Sequence, residues 1–191
     1  PLAVGMVGQY GLQTANTAVS QADLVLIVGA KLTPQETVGE NPSLFDPRKQ
    51  TLIQIDIDQR NAGWTLPVEI GLIGDAAGVL DQIIEACQAL LREKPLDSGP
   101  RRQAIQQAKD RFKYYSDPEL FSDSSPVLPQ RLVRILQETV DPSTLITLDA
   151  GNNRAWMCHF YQSPREKTFF CPGGMAGMGW SLPAALAIKL V

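Results

Sequence analysis

Leu24-Val25-Leu26-Ile27-Val28, entered from Asp23 and closed by Gly29, is a continuous apolar run with a turn residue at its end. Such a run is the signature of a strand buried on both faces, as in a parallel sheet covered by helices. The stretches around it extend the pattern. Thr14 to Gln21 reads as a helix, Thr51 to Ile57 as a second strand, and Val68 to Ile73 as a shorter third one. Asp75, after Gly74, is placed to accept hydrogen bonds from the orphan N–H groups of a helix start. Beyond it Val79, Leu80, Ile83, Ile84, Cys87, Leu90 and Leu91 recur at helical spacing. This order predicts an α/β fold, a doubly wound parallel sheet over residues 1–92.

The composition changes at residue 93. Residues 93–128 are rich in Pro, Ser and Asp, and the charged helix-like stretch from Arg101 to Tyr115 has only a narrow apolar stripe, which reads as a linker. A second α/β unit is predicted over 129–191: a helix from Pro129 to Val140, a strand from Thr144 to Leu148, a polar turn from Asp149 to Asn153, and a short strand from Thr168 to Cys171. A glycine-rich loop then leads into a helix from Ser181 to Val191. The 191 residues suffice for one large or two small domains.

Charge and hydropathy exclude several classes of function. Lys plus Arg number 17 against 20 for Asp plus Glu, a net charge of −3 with no basic run, so nothing here attracts a phosphate backbone and no nucleic-acid partner is expected. No stretch reaches the roughly 20 apolar residues that cross a bilayer, and Pro1 to Gly5 has no charged signal-peptide region, so a cytoplasmic protein without membrane contact is expected. The missing initiator Met suggests an excised piece of a longer chain. Cys87, Cys158 and Cys171 are odd in number and widely spaced, which gives neither a disulfide framework nor a zinc motif and predicts ordinary, mostly buried thiols. The single histidine, His159, sits in an aromatic-rich stretch without a nucleophile signature and reads as a packing or hydrogen-bonding residue.

Two segments have the makings of a ligand site. Gly173 to Gly179 holds four glycines in seven residues, which lets the backbone approach a ligand closely, with Met175 and Met178 as the large side chains in an otherwise bare loop. A tight strand-to-helix turn packed on Met accounts for this composition equally well. Asp149-Ala150-Gly151-Asn152-Asn153 follows the second unit's first strand, at the carboxyl end where ligands gather in open α/β sheets. Its Gly and two Asn residues offer backbone and amide donors to an anion, and a plain polar turn is the competing reading. No metal ligands are read from the sequence.

Taken together, Asp149-Ala150-Gly151 with Trp156 and the Gly-Gly-x-x-x-Met-Gly-x-x-Leu-Pro-Ala-Ala pattern at 173–185 resemble the thiamine-diphosphate-binding domain of the acetolactate synthase, pyruvate oxidase and 2-keto acid decarboxylase family. Upstream, Gly5 to Gly11, Ala15-Asn16, Ala22 to Leu24, Gly29-Ala30, Ile55 to Asp58 and Gly74-Asp75 resemble that family's central domain in order and spacing. The resemblance implies thiamine diphosphate with Mg²⁺ and an activity on a 2-keto acid such as pyruvate, by decarboxylation, carboligation or both, in a homodimer or homotetramer. It assigns Gly151, Asn152 and Asn153 to the diphosphate and the Ala176 carbonyl, beside Gly177, to the cofactor's 4′-amino group. Met178 would be the bulky residue beneath the cofactor. Ala176 and Met178 would thus serve catalysis by shaping the cofactor. Ala176 stands where the family often has Gly. The family's activating Glu and its Mg²⁺ ligands are expected outside 1–191, the central domain is expected to lack its start and the second domain its end, and the 191 residues alone are expected to be inactive.

Two further readings come from the first unit. Gly5-x-x-Gly8-x-x-Gly11 before a helix suggests a Rossmann-type nucleotide- or flavin-binding module without catalysis, although the spacing is not GxGxxG and no strand precedes it. Family members that carry flavin resemble one another in an Arg- and Asp-rich stretch after the Gly-Ala that ends the strand. Here that stretch is Gly29-Ala30-Lys31-Leu32-Thr33-Pro34-Gln35-Glu36, which supplies no Arg for a flavin diphosphate, so FAD is not expected. Asp56 and Asp58, flanking a strand end, read as a helix cap or a solvated turn.

Overall fold

The computed structural model describes residues 2–190, which divide after Phe112 into two compact units. The first contains α1 (Gln13–Ser20), β1 (Leu24–Val28), β2 (Thr51–Asp56), β3 (Ile70–Ile73), α2 (Ala76–Glu93) and α3 (Gly99–Arg111). Its strands form a parallel sheet in the order β1-β2-β3, with Leu24 opposite Thr51 and Ile53 opposite Ile70. The α/β class and parallel pairing agree with the sequence reading. The connections between strands are turn-rich rather than helical, and they supply the cover: Leu44, Phe45 and Leu66 pack on Ile27 of β1 and Leu52 of β2. α3, from the segment read as a linker, contacts α1.

β1 corrects one expectation. Ile27 is 5% exposed, but Leu24, Leu26 and Val28 are 50%, 40% and 38% exposed, so the strand is covered on one face only among the described residues. A run of apolar residues records that both faces are water-averse and not that both are covered. α2 behaves in the same way. Asp75 accepts from the Ala77 and Gly78 amides at 3.1 Å, as its position predicts, yet no residue of α2 is buried. The thiols also depart from expectation, Cys87 and Cys171 being exposed and Cys158 half-buried.

Two buried glutamines tie the connections to the strands. Gln54, 2% exposed on β2, donates to the carbonyls of Ala30 and Asn61 and accepts from the Gly63 amide. Gln50 donates to the carbonyls of Val19 and Ala22 and accepts from the Asp46 amide. A buried amide is tolerated because each of its polar atoms finds a partner.

The second unit contains a 3₁₀ turn (Pro118–Phe121), α4 (Pro129–Thr139), β4 (Ile146–Thr147), α5 (Asn152–Phe160), β5 (Phe169–Phe170) and α6 (Ser181–Lys189). β4 and β5 pair in parallel, Ile146 opposite Phe169. The core is Val133, Leu148, Met157 and Tyr161. Around it Trp156 stacks on Phe160, Tyr161 stacks on Phe169, and His159 meets the Phe160 ring edge-on at 4.5 Å, a packing role. The last two residues read as a polar turn, Asn152 and Asn153, and the aromatic stretch after them therefore form one helix, α5. The helix predicted to reach Val191 is described as far as Lys189, and Val191 lies outside the described residues.

Candidate functional site

Gly151 makes the turn from the β4 segment into α5. Its φ of 111° and ψ of −169° lie in a region open essentially to glycine alone, and the helix begins at once with Asn152 and Asn153. No side chain caps this end. The first N–H groups of a helix lack internal partners and carry the positive end of its dipole, so Gly151, Asn152 and Asn153 present a surface suited to an anion. Asn153 turns its side-chain amide back to the Ala150 carbonyl at 3.1 Å. Its backbone N–H, rather than that amide, is what the helix end offers.

The glycine loop comes next to this turn through one carboxylate. Asp149 Oδ1 accepts from the Ala150 amide at 2.8 Å and from the Gly179 amide at 2.8 Å. Its Oδ2 accepts from the Ser181 amide at 3.2 Å and the Ser181 hydroxyl at 2.9 Å. Trp180, the N-cap residue of α6, provides no side-chain cap, so Asp149 supplies from another segment the acceptor that this helix start needs. The Ala150 amide foremost, then Ser181 and the Gly179 amide, hold the Asp149 carboxyl down at about 2, against partial burial acting the other way. Thr147 of β4 adds a hydroxyl bond to the Ser181 carbonyl at 3.0 Å. At the loop's other end Arg154 Nη1 donates to the Pro172 carbonyl at 3.2 Å.

Between these anchors residues 173–178 stand clear of the fold. Met175 is fully exposed and Met178 is 91% exposed, while a Cβ at Gly173, Gly174 or Gly177 would meet nothing within 4 Å. Ala176 has a φ of 47°, left-handed backbone in which glycine is the unstrained choice. Its amide reaches the Gly173 carbonyl at 3.4 Å. The structure thus brings together the neighbourhoods of Gly151, Asn152 and Asn153 and of Ala176, Gly177 and Met178, with Asp149 as the joint. Sequence reading counted Asp149 only as a motif member, and the sole signal of its role was an acid ending a strand thirty residues before an uncapped helix start. A mostly apolar cavity of about 480 Å³ is lined by Leu148, Trp156 and Met157 together with Asp149, Asn153 and Ser181.

The other candidates have structural explanations. A Cβ on Gly8 would lie 2.8 Å from Glu36 Cα, and Gly8 exchanges hydrogen bonds with the Asn16 side chain, so the Gly5-to-Gly11 loop is shaped by close chain packing. Asp56 accepts from the Asp58 amide and the Asn61 side chain, and Asp58 pairs with Arg60 at 2.6 Å, a turn at the strand end. Among the described residues no group of three or more His, Cys, Asp or Glu side chains could hold a metal ion, and no helix is long and apolar enough to cross a membrane.

Comparison with known proteins bears on both units. Residues 1–83 match the model of the thiamine pyrophosphate enzyme central domain, and residues 149–191 match that of the C-terminal TPP binding domain. Among curated relatives, a probable acetolactate synthase large subunit of Methanocaldococcus jannaschii is 33% identical over 100% of this chain, and one of Methanococcus aeolicus is 29% identical over 100%. The acetolactate synthase isozyme 3 large subunit of Escherichia coli is 29% identical over 98% of the chain. The chain spans 32% of the length of each of these relatives. With both domain models matched in order, and with the second beginning at the carboxylate that joins the helix end to the glycine loop, the chain belongs to the thiamine pyrophosphate enzyme family.

Proposed function

We propose that residues 1–191 are part of a thiamine-diphosphate-dependent enzyme that decarboxylates a 2-keto acid such as pyruvate, joins two such acids, or does both, in the manner of an acetolactate synthase. The observation that carries this reading is the Asp149 joint, which sets an uncapped helix N-terminus beside an exposed glycine loop. These residues fit the cofactor. The backbone N–H groups of Gly151, Asn152 and Asn153 receive the diphosphate, the Ala176 carbonyl accepts from the 4′-amino group, and Gly177 leaves room for close approach. Met178, 91% exposed, would support the cofactor.

When bound, thiamine diphosphate supplies the carbon nucleophile and the electron sink, and the chain supplies position and electrostatics. Mg²⁺ belongs to the same reading. Flavin does not belong to it, since Gly29 to Glu36 offers no Arg, and the whole protein is colourless. It acts as a cytoplasmic homodimer or homotetramer, without nucleic-acid or membrane partners. Calorimetric titration of the whole protein with thiamine diphosphate and Mg²⁺, paired with a pyruvate-consumption assay, tests the reading. Saturable binding with turnover supports it. Absence of both, in protein that is folded by circular dichroism, overturns it.

A further inference from the structure

Cys158 and Cys171 are separated in sequence but meet in the second unit. Arg154 in the first turn of α5 bonds the carbonyl of Pro172, so this face of α5 lies along the chain that leaves β5. Cys158 is one turn further along the same face of α5, and Cys171 directly precedes Pro172. The Cys171 thiol is near enough to act electrostatically on the Cys158 thiol. Cys158 and Phe169 pack against one cluster, which fixes the spacing of helix and strand. Cys171 is exposed, Cys158 is half-buried, and Cys87 belongs to the other unit.

We propose that Cys158 and Cys171 are an oxidative modification site, forming a reversible disulfide that pins α5 to the base of the glycine loop. The two thiols have different roles. Burial first, and then the neighbouring Cys171 thiol, push the Cys158 thiol up to about 11, which keeps it protonated, while exposure lets Cys171 meet the oxidant. With hydrogen peroxide as oxidant, the Cys171 sulfur attacks one peroxide oxygen and the O–O bond breaks. An S–O bond forms, the peroxide is reduced to water, and the sulfur becomes a sulfenic acid. The Cys158 sulfur then attacks that sulfur, the S–S bond forms, the S–O bond breaks, and hydroxide leaves as water with the Cys158 proton. Two thiols and one peroxide give one disulfide and two waters. A dithiol reductant reverses it by exchange.

The test is peptide mapping of the 191-residue chain after hydrogen peroxide treatment, digested without reduction, with free thiols alkylated beforehand. The expected result is a cross-linked peptide joining Cys158 to Cys171, lighter by two hydrogens than its parts, while Cys87 remains alkylated. Dithiothreitol restores both alkylated peptides, and protease cleavage within 173–178 slows on oxidation and recovers on reduction. C171S leaves Cys158 reduced under the same treatment. C158S carries Cys171 on to sulfinic acid. Over-oxidised Cys171 without a cross-link in the parent chain overturns the proposal, as does equal oxidation of Cys158 in C171S. The measurement reads thiols without cofactor, so its failure leaves the proposed function standing.

Discussion

Asp149 Oδ1 lies 2.8 Å from the Gly179 amide nitrogen, thirty residues along the chain. That bond, with the pair from Ser181 to Oδ2, makes one carboxylate the register pin between the start of α5 and the start of α6. Asp149→Ala removes every acceptor at once and is expected to release the loop's carboxyl end. Hydrogen exchange should accelerate at the Gly179 and Ser181 amides and stay unchanged in β1 to β3. Ser181→Ala, which loses only the hydroxyl bond, should show a smaller acceleration. Unchanged protection at Gly179 in Asp149→Ala would sink the assignment.

The same carboxylate gives the loop a pH dependence. Its folded value of about 2 lies below the ordinary aspartate value of about 3.9, so its contribution is fully present above about pH 4 and is lost as pH falls through about 2. Exchange at the Gly179 amide, corrected for intrinsic rates, should rise across that window. An NMR titration of the Asp149 carboxyl carbon with a midpoint at or above 3.9 would contradict the bonding described.

Met178 separates cofactor support from folding. At 91% exposure it contributes little buried area, so Met178→Ala should change unfolding free energy by less than about 0.5 kcal/mol. Under the proposed function the same substitution lowers turnover of the whole protein with cofactor saturating. Equal turnover in mutant and parent removes Met178 from the site.

Gln54 has the opposite character, outside the candidate site and central to the stability of the first unit. Gln54→Ala strands the Gly63 amide and two carbonyls beneath the β2 connections, at a cost of about 3 kcal/mol. Urea denaturation of the chain measures it. A midpoint within error of the parent would mean that solvent reaches those groups.

Much of this was legible in the sequence. The positions of β1, β2 and β3 followed from apolar runs and turn residues, and α2 followed from Asp75 and helical spacing, because these signals are local. α5 was not legible: it has only nine residues, too few for a clear period, and no side-chain cap to mark its start. The exposed face of β1 was missed because hydrophobicity says what a side chain avoids and not what lies over it. The motif residues of the candidate site were visible one by one. Their joint at Asp149 was not, since a side-chain bond spanning thirty residues leaves no trace in spacing.

The anchoring of the glycine loop has an evolutionary consequence. Arg154 and Asp149 hold its two ends, so the six residues between Pro172 and Gly179 contribute almost nothing to keeping the helices in place. Closing a flexible loop costs only about 0.6 kcal/mol more for each doubling of its length. Residues 173–178 therefore form a replaceable cassette, in which, under the proposed function, substitutions or insertions can retune ligand chemistry while selection for folding acts on the two anchors outside it.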